Sequence, residues 1–474
     1  MLMKRCMLSA SLLSVGSLCT VPIWGQAERP NIVLVMVDDL GLNDLGVTGT
    51  DFYETPNIDR LATEGLLFSQ AYAAAPNSAP SRACYMTGMY TPRHGVYTVA
   101  PAERGNKKKR KFIPPVTNED VAADFVTMAE ALKQEGYVCA HIGKWHLGED
   151  SDGRGPLSQG FEVNVAGGHA GGPYSYFYPY CNKRGKCYVG LEEGKEGEYL
   201  TDRLTQEAIG FIEGNQLKPF FLHLAHYGVH VPLNAPQHLI EKYKNKAKGR
   251  YHTNPVYAAM IENLDWNVGR LCQAIDSLGL SKRTLIVFAS DNGGSEPVTD
   301  NYQVRGGKGM PYEGGTRIPL IMKWSGHIKP GTKTDMPVIG VDLYPTFVTL
   351  AGGVPKENLD GQDIFSLLEN PNEQRALYWH FPAYLQANGE LRKKQPFRAT
   401  PYSSMRFGEW KLIYFYETYS VELYNLKSDP KEKTNVATRY PDKASELKKQ
   451  LLEWVDKTYA AIPSKFNPEY VGSK

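Results

Sequence analysis

Four short apolar runs in the N-terminal part of the chain carry its strongest structural signal. They cover residues 32–37, 138–142, 220–224 and 285–289, and each is almost continuously apolar. Runs of this length without polar alternation are typical of strands buried on both faces, as in parallel sheets. Stretches of helical pattern separate them between Asn31 and about Gly353, so the pattern predicts an α/β fold with a mostly parallel central sheet covered by helices.

Polar residues with chemically useful side chains follow directly after each of these runs. In order, the runs lead into Asp38-Asp39, Gly143-Lys144-Trp145-His146, His226 and then His230, and Asp291-Asn292. In open α/β sheets, binding sites form outside the carboxyl ends of the strands. We therefore expect the four strand ends to contribute to one shared site.

A different pattern begins near Asn372. Short strand patterns at 377–381, 403–407, 411–416 and 422–426 are separated by turn signals, and a helical pattern follows at 444–459. Gly408-Glu409 between two of the strands is a hairpin signal. The sequence thus predicts a smaller C-terminal domain, residues 371–474, with a four-stranded antiparallel sheet and a packed helix. Residues 28–370 form the predicted catalytic domain.

The first 27 residues have the pattern of a secretory signal peptide. Lys4 and Arg5 precede an apolar stretch at 6–18, and small or polar residues follow at 25–27. The apolar stretch is short for a membrane span, and no other candidate span is found. We expect an exported protein, periplasmic or secreted; a lipid anchor at Cys19 is the less favoured alternative because the preceding residues match a lipoprotein signal poorly.

Charge and cysteine content narrow the possibilities further. The chain has 53 basic and 51 acidic residues, so bulk charge gives no reason to expect nucleic-acid binding. Cys181 and Cys187 flank a short polar loop, and in an exported protein this spacing favours a disulfide. Two free surface thiols are the alternative.

Ser78 begins the most informative short segment, Ser-Ala-Pro-Ser-Arg-Ala-Cys-Tyr-Met-Thr-Gly at 78–88. Pro80 just inside a helix start and Gly88 after its end fit the usual asymmetry of helix termini. Ser78 would then lie at a helix N-terminus, which favours anions, and Arg82 one turn later would share its face. The alternative is an ordinary serine helix cap with a solvated arginine.

The acidic and amide residues after two of the runs predict a metal site. Asp38, Asp39, Asp291 and Asn292 offer only oxygen ligands, which Ca²⁺ and Mg²⁺ prefer, and a loose many-oxygen site favours Ca²⁺. Helix caps and turns are the alternative use of such residues.

Three further cationic or titratable residues are candidates for catalysis. Lys144 and His146, two apart in an expected extended segment, should point to the same side and supply positive charge and proton transfer. His230 follows a strand, with His226 as a weaker rival, and Lys308 lies in a glycine-rich loop. A buried lysine–carboxylate pair and structural histidines are the alternative.

Together these segments resemble the type I sulfatases of the alkaline phosphatase superfamily, over nearly the whole chain from Pro30 onward. The resemblance implies an alkaline-phosphatase-like fold and oxidation of Ser78 to formylglycine, whose hydrated aldehyde attacks sulfur. It also implies that Ser78 contacts the metal together with the residues named above. Many relatives carry cysteine in place of Ser78; the serine type implies an oxygen-independent radical maturing enzyme as a transient partner, and an anaerobic bacterium as the source.

The resemblance further implies roles for the surrounding residues. Arg82 would stabilise the hydrate, Lys144 and Lys308 would hold the sulfate oxygens, His146 would contact the formylglycine hydroxyl, and His230 would protonate the leaving alcohol. Such groups neutralise developing charge and help a poor alcohol to leave.

The resemblance implies a sulfated glycan as the substrate class, with a terminal sulfated sugar bound in a pocket. The loop 167–174, with His169, is a candidate wall of the sugar pocket, or else a glycine-rich surface loop. Arg317, at the end of a segment typical of the family, is a second candidate for substrate binding. Two other readings stay open at this stage: a phosphomonoesterase or phosphodiesterase on the same scaffold, and a non-catalytic glycan-binding relative.

Overall fold

The computed structural model of the protein describes residues 29–371 and 374–472. The predicted signal peptide at 1–27 lies outside the described residues. Within those two ranges, no helix combines the length and the apolar composition that crossing a membrane requires.

The strands are short, and the longest have seven residues. In chain order they are β1 (Asn31–Val37), β2 (Leu66–Tyr72), β3 (Phe112–Ile113), β4 (Val138–Gly143), β5 (Val163–Val165), β6 (Phe220–Ala225), β7 (Thr284–Ser290), β8 (Arg317–Lys323), β9 (Thr332–Thr334), β10 (Val338–Ile339), β11 (Ala376–Phe381), β12 (Leu385–Gln386), β13 (Phe397–Ala399), β14 (Tyr402–Phe407), β15 (Trp410–Phe415), β16 (Ser420–Asn425) and β17 (Lys465–Phe466).

The α-helices range from single turns to the 23-residue helix that begins at Pro255. They are α1 (Pro56–Thr63), α2 (Ser78–Thr87), α3 (Thr91–His94), α4 (Met128–Gln134), α5 (Leu200–Gly214), α6 (Gln237–Asn245), α7 (Pro255–Ser277), α8 (Glu313–Thr316), α9 (Leu343–Leu350), α10 (Ile364–Glu369), α11 (Leu391–Lys394) and α12 (Pro441–Lys457).

A nine-stranded sheet forms the centre of the molecule, with the order β10-β2-β8-β7-β1-β6-β4-β5 and β9 paired to β2. Among the described strands of this sheet, β8 alone runs antiparallel to its neighbours. The four predicted apolar runs are β1, β4, β6 and β7, and they lie side by side in parallel register. The predicted α/β class with a mostly parallel sheet is confirmed, and the four strand ends meet at one edge.

Helices cover both faces of this sheet, as the alternation of β1 shows. Val33, Val35 and Val37 pack into a core shared with α1, α5, α6 and α7. The intervening residues, including Leu34, pack into a second core shared with α2, α4, α9 and α10. Burial on both faces explains why the strands carry no polar alternation.

The C-terminal part contains the predicted antiparallel sheet, in the order β11-β14-β15-β16. Gly408 has a φ of 57°, a left-handed conformation that glycine adopts without strain, and it turns β14 into β15. Leu447 and Leu451 of α12 pack against Met405 and Leu412 of this sheet. The sheet and its helix are confirmed, whereas the domain division at 370/371 stays a prediction.

A group of buried charges joins the two sheets; we call Glu313, Lys411 and Glu432 the junction cluster. The Lys411 ammonium lies 3.0 Å from a carboxylate oxygen of each glutamate. The backbone N–H of Glu313 donates to Glu432, and the Tyr72 hydroxyl donates to Glu313. The C-terminal sheet is thus tied to the central one through these ion pairs and hydrogen bonds.

Candidate active site

Ser78 is the first residue of α2, and the structure buries it among polar residues from two strand ends. Its hydroxyl oxygen lies 3.1 Å from Asp38 Oδ1 and 3.1 Å from Asn292 Oδ1. Asn77 before it is extended, and Gly88 after the helix adopts a left-handed φ of 69°. The predicted helix boundaries are therefore confirmed, and Ser78 faces the carboxylates that the sequence analysis grouped with it.

The carboxylates come together because β1 and β7 are parallel neighbours. Val37 pairs with Ser290, so the residues that follow, Asp38-Asp39 and Asp291-Asn292, leave the sheet side by side. The backbone N–H of Asp39 lies 3.3 Å from Asp291 Oδ1. We call Asp38, Asp39, Asp291 and Asn292 the strand-end cluster.

Each aspartate of the strand-end cluster has its own cation. Lys144 Nζ lies 2.6 Å from Asp38, and Lys308 Nζ lies 2.6 Å from Asp39. Arg82 places Nε and Nη2 each 2.9 Å from Asp291 Oδ2. Three buried carboxylates thus face three cations drawn from α2, the end of β4 and the glycine-rich loop.

Burial and ion pairing compete in setting the pKa values of this cluster. Burial alone would raise the pKa of Asp38, but Lys144, His230, Lys308 and Arg82 hold it well below its usual range. For Asp291, burial and the neighbouring Asp38 outweigh Arg82 and Lys144, so its pKa is raised. The pKa values of these two aspartates are thus shifted in opposite directions, and perturbed pKa values are common at functional sites.

The donor set fits a hard divalent cation. Asp38, Asp39 and His230 each offer a ligand atom, and these atoms lie within 4.8 Å of one another. The Ser78 hydroxyl lies 3.1 Å from Asp38 Oδ1 and 3.1 Å from Asn292 Oδ1. Oxygen donors therefore predominate, as Ca²⁺ and Mg²⁺ prefer. His230, expected at the same shared site as a catalytic candidate, was not expected among the metal ligands, because a lone histidine carries no spacing signal.

His230 is fixed so that one ring nitrogen faces the site. Its Nδ1 lies 2.6 Å from the Val231 carbonyl oxygen, which can only accept, so Nδ1 carries a proton. Nε2 lies 3.7 Å from Asp39 Oδ2, and the side chain is 18% exposed. Tyr176, which the sequence analysis missed, donates its hydroxyl to the His230 carbonyl oxygen at 2.7 Å.

The backbone at His146 does not have the extended conformation that the sequence predicts. Its φ is 67°, so the segment is not extended, and the reason given for pairing Lys144 with His146 is wrong. Its Nδ1 is buried without a hydrogen-bond partner among the described residues. Burial, then Lys144 and Arg82, lower the pKa of His146 well below its usual value, so the ring is neutral.

The loop 167–174 lies against both histidines through its glycines. A Cβ on Gly171 would stand 2.5 Å from His146 Nε2, and one on Gly172 would stand 3.2 Å from the His230 ring. His169 itself is half exposed and lies 3.5 Å from Glu119, away from the strand-end cluster. The loop is a wall of the site, whereas the contacts of His169 do not support the predicted substrate role.

Arg317 and His226, two further candidates, have surroundings that do not favour their predicted roles. Arg317 donates to the Ser69 carbonyl oxygen and lies 3.8 Å from Glu313, so strand packing and the junction cluster occupy its guanidinium. These contacts do not support a substrate role, and the assignment of Arg317 to substrate binding stays a prediction. His226 is fully buried, and burial lowers its pKa to about 3; neither ring nitrogen has a hydrogen-bond partner in the described part of the chain.

Cys181 and Cys187 form a disulfide in the structure, closing the polar loop between them. The remaining described cysteines, Cys84, Cys139 and Cys272, are buried and free. The pairing matches the one favoured from the spacing.

Comparison with known proteins identifies the family. A family model described as Sulfatase matches residues 30–354. The chain belongs to the sulfatase family. A second model, described as the C-terminal part of N-sulphoglucosamine sulphohydrolase, matches residues 307–458 and so overlaps both sheets.

Individual relatives agree with this assignment. A sulfatase of Formosa agariphila is 33% identical over 91% of this chain and 90% of its own length. The N-acetylgalactosamine-6-sulfatase of Mus musculus is 33% identical over 80% of this chain and 74% of its own length. The crystal structure of Ps i-CgsB in complex with k-i-k-neocarrahexaose is 30% identical, covers 93% of this chain and 95% of its own, and superposes with a TM-score of 0.77.

Family membership makes the protein a sulfuric ester hydrolase, and the family implies a formylglycine and a bound metal. The buried carboxylates of Asp38 and Asp39 are suited to holding the metal. The neutral, unpartnered Nδ1 of His146 and the buried position of Ser78 suit a modified residue at 78.

Proposed function

We propose that the protein removes sulfate from a sugar hydroxyl of a sulfated glycan, at the site built around Ser78. The observation that supports this most is the Ser78 hydroxyl, 3.1 Å from both Asp38 and Asn292, at a helix N-terminus ringed by Arg82, Lys144 and Lys308. The sugar substrates of the relatives, including k-i-k-neocarrahexaose and N-acetylgalactosamine esters, support the substrate class.

In this proposal Ser78 is the precursor of the nucleophile. Formylglycine, when present and hydrated, supplies one hydroxyl to attack sulfur and a second to release the sulfate, whereas an unmodified serine has only one. Asp38, Asp39, Asp291 and Asn292 hold the metal, for which we propose Ca²⁺ because the donors are mainly oxygens. Divalent charge at this place stabilises the anionic group being transferred.

The cations orient and neutralise the sulfate. Lys144 is buried, Lys308 is partly buried, and both already point into the carboxylate cluster, so little solvent has to reorganise around their charge. Arg82 holds Asp291 through two nitrogens and donates to the Lys144 carbonyl oxygen at 2.6 Å, which keeps the α2 start and the Lys144 segment in register. Neutral His146 accepts a hydrogen bond from the modified residue 78.

His230 is the proposed general acid for the leaving alcohol. Because Nδ1 already donates to Val231, the neutral ring has a free lone pair at Nε2, and the second proton binds there. Asp39 Oδ2 lies 3.7 Å from Nε2, on the side of the ring that faces the site. The proton then passes from Nε2 to the bridging oxygen of the sugar sulfate.

Further parts of the proposal concern maturation and location. The serine at position 78 requires a maturing enzyme, for which we propose the radical type. The N-terminal pattern at 1–27 and the Cys181–Cys187 disulfide support export to an oxidising compartment. We also propose that residues 28–370 and 371–474 are separate domains.

Matched sulfate and phosphate esters of one sugar test the proposal. The purified enzyme, with residue 78 converted, should hydrolyse the sulfate ester with the higher kcat/KM, and chelation of divalent cations should lower that rate until Ca²⁺ is restored. A clear preference for the phosphate ester would instead support a phosphoesterase. If chelation lowers neither the sulfate-ester rate nor the phosphate-ester rate, the proposed metal site is wrong.

A further inference from the structure

Arg398 lies beside the candidate active site, and no hydrogen bond or ion pair joins its guanidinium to another described residue. It is the middle residue of β13, between buried Phe397 and Ala399, so strand alternation turns its side chain to the other face of that strand. Its Nε is buried without a hydrogen-bond partner. No ion pair joins it to any residue in the described ranges, although the side chain is partly exposed. An unpaired, partly buried guanidinium is costly unless something else binds it.

The glycine-rich loop connects Arg398 to the site. A Cβ on Gly309 would stand 3.1 Å from Arg398 Nε and 3.3 Å from its Cζ, so the loop backbone lies directly against the guanidinium. The preceding residue is Lys308, whose Nζ is 2.6 Å from Asp39. Gly309 also donates its N–H to the Pro76 carbonyl oxygen at 2.6 Å, two residues before Ser78. The glycine-rich loop therefore lies between Arg398 and the segment that leads into Ser78.

No acidic side chain of the described residues forms an ion pair with Arg398, so its guanidinium can still bind an anion. Burial lowers its pKa, and Asp39 and Glu296 oppose this while Arg104 adds to it. Asp39 already pairs with Lys308, and Arg104 donates to the Val99 and Ala100 carbonyl oxygens. Glu296 is the remaining acidic neighbour, and it forms no ion pair with Arg398.

We propose that Arg398 binds an anionic substituent of the glycan, a second sulfate or a carboxylate, other than the sulfate that is cleaved. The inference rests on the proposed function. A guanidinium presents a planar fork of donors that matches both groups. The C-terminal part of the chain would then select substrates by charge, while the central sheet carries out the hydrolysis.

Binding to the Ser78→Ala protein tests this without turnover. We expect N-acetylgalactosamine 4,6-disulfate, or a 6-sulfated disaccharide that carries a hexuronate, to bind more tightly than N-acetylgalactosamine 6-sulfate. Adding Arg398→Gln should weaken the doubly charged ligands about ten- to a hundred-fold and largely remove that preference, the range expected for a hydrogen bond to a charged group. Arg392→Gln, an exposed arginine nearby, is the matched control and should leave the preference intact.

Several outcomes would overturn the proposal. If Arg398→Gln weakens the binding of singly and doubly charged ligands equally, the residue has a structural role. If the protein with Arg398 intact shows no preference for the second anion, the proposal is overturned even when the Arg398→Gln variant misfolds. Kinetics separate this from failure of the proposed function: an enzyme that prefers phosphate esters contradicts the sulfatase proposal, whereas a sulfatase that treats both classes of sugar sulfate alike contradicts only the role of Arg398.

Discussion

Two clusters of buried charge lie in this molecule, the strand-end cluster after β1 and β7 and the junction cluster between α8 and β15. Both place carboxylates and lysines out of solvent at distances of 2.6–3.0 Å. In the junction cluster each glutamate also accepts a hydrogen bond from Tyr72 or from a backbone N–H. Both glutamates are paired with Lys411, although Glu432 Oε1 makes no hydrogen bond among the described residues.

The strand-end cluster differs because its surroundings retain unused groups. His146 Nδ1 has no hydrogen-bond partner in the described part of the chain, His230 Nε2 faces Asp39 at 3.7 Å, and the Ser78 hydroxyl lies between two acceptors. Burial and ion pairing alone therefore do not mark a functional site, since structural networks share them. Residual bonding capacity around the charges distinguishes the site that binds a ligand from the one that joins two sheets.

The largest expected effect is on turnover, from Ser78→Ala. Removing the precursor of the nucleophile should lower kcat on a sulfated sugar by on the order of 10⁴-fold or more, with ligand binding retained. Thr87→Ala removes a hydroxyl at the far end of the same helix and should leave kcat within a few-fold. Steady-state kinetics on both variants make the comparison, and substantial turnover by Ser78→Ala would place the nucleophile elsewhere.

Replacing His230 should separate substrates by their leaving groups. His230→Ala should lower kcat/KM on a sugar sulfate by about 10²–10⁴-fold, the usual contribution of a general acid, and on an activated aryl sulfate much less. His238→Ala, an exposed histidine on α6, is the control and should alter neither rate. Equal loss on the two substrates would mean that His230 acts as a ligand or a structural residue instead.

The junction cluster should respond in stability. Lys411→Met leaves two buried carboxylates without their cation and should lower the free energy of unfolding by about 3–5 kcal/mol. Lys427→Met, which removes an exposed pair with Glu409, should change the free energy of unfolding far less, because solvent screens such pairs. Urea unfolding measures both. If Lys411→Met instead removes activity from protein that is still folded, the contrast between the clusters fails.

The smallest expected effect is a change in how stability depends on pH. Burial, with Glu313 adding to it against Lys411, raises the pKa of Glu432 from 4.5 to about 7. A raised carboxyl pKa stabilises the fold below the ordinary value, and that contribution is lost as pH rises through about 7. The free energy of unfolding should therefore fall less steeply between about pH 4.5 and 7 in Glu432→Gln than in the unmodified protein. Parallel curves would contradict the protonation of Glu432.

Much of the fold could be predicted because its signals are local. The continuous apolar runs of β1, β4, β6 and β7 follow from burial on both faces, and the Gly408 turn identified one hairpin. Strand β8 runs antiparallel and β12–β13 is a separate pair, and neither has a sequence signal, since strand direction is decided by distant pairing.

The site was predictable where residues follow strands directly. Asp38 and Asp291 meet because β1 and β7 are neighbours, and Lys144 reaches Asp38 from the end of β4, on the other side of β6. For Arg317 the sequence does not reveal that its guanidinium contacts Ser69 and Glu313, so its substrate role stays a prediction without support from these contacts. Arg398 was missed because an arginine in a short strand looks like any surface cation until the fold brings Gly309 against it.

The most direct test of the central claim relates turnover to the state of residue 78. Mass measurement of tryptic peptide 61–82, which contains it, gives the fraction of Ser78 converted to formylglycine through the loss of two hydrogens. We predict that kcat on a sulfated sugar rises in proportion to that fraction across preparations and extrapolates to zero. Full turnover in preparations in which residue 78 is entirely serine would contradict the account.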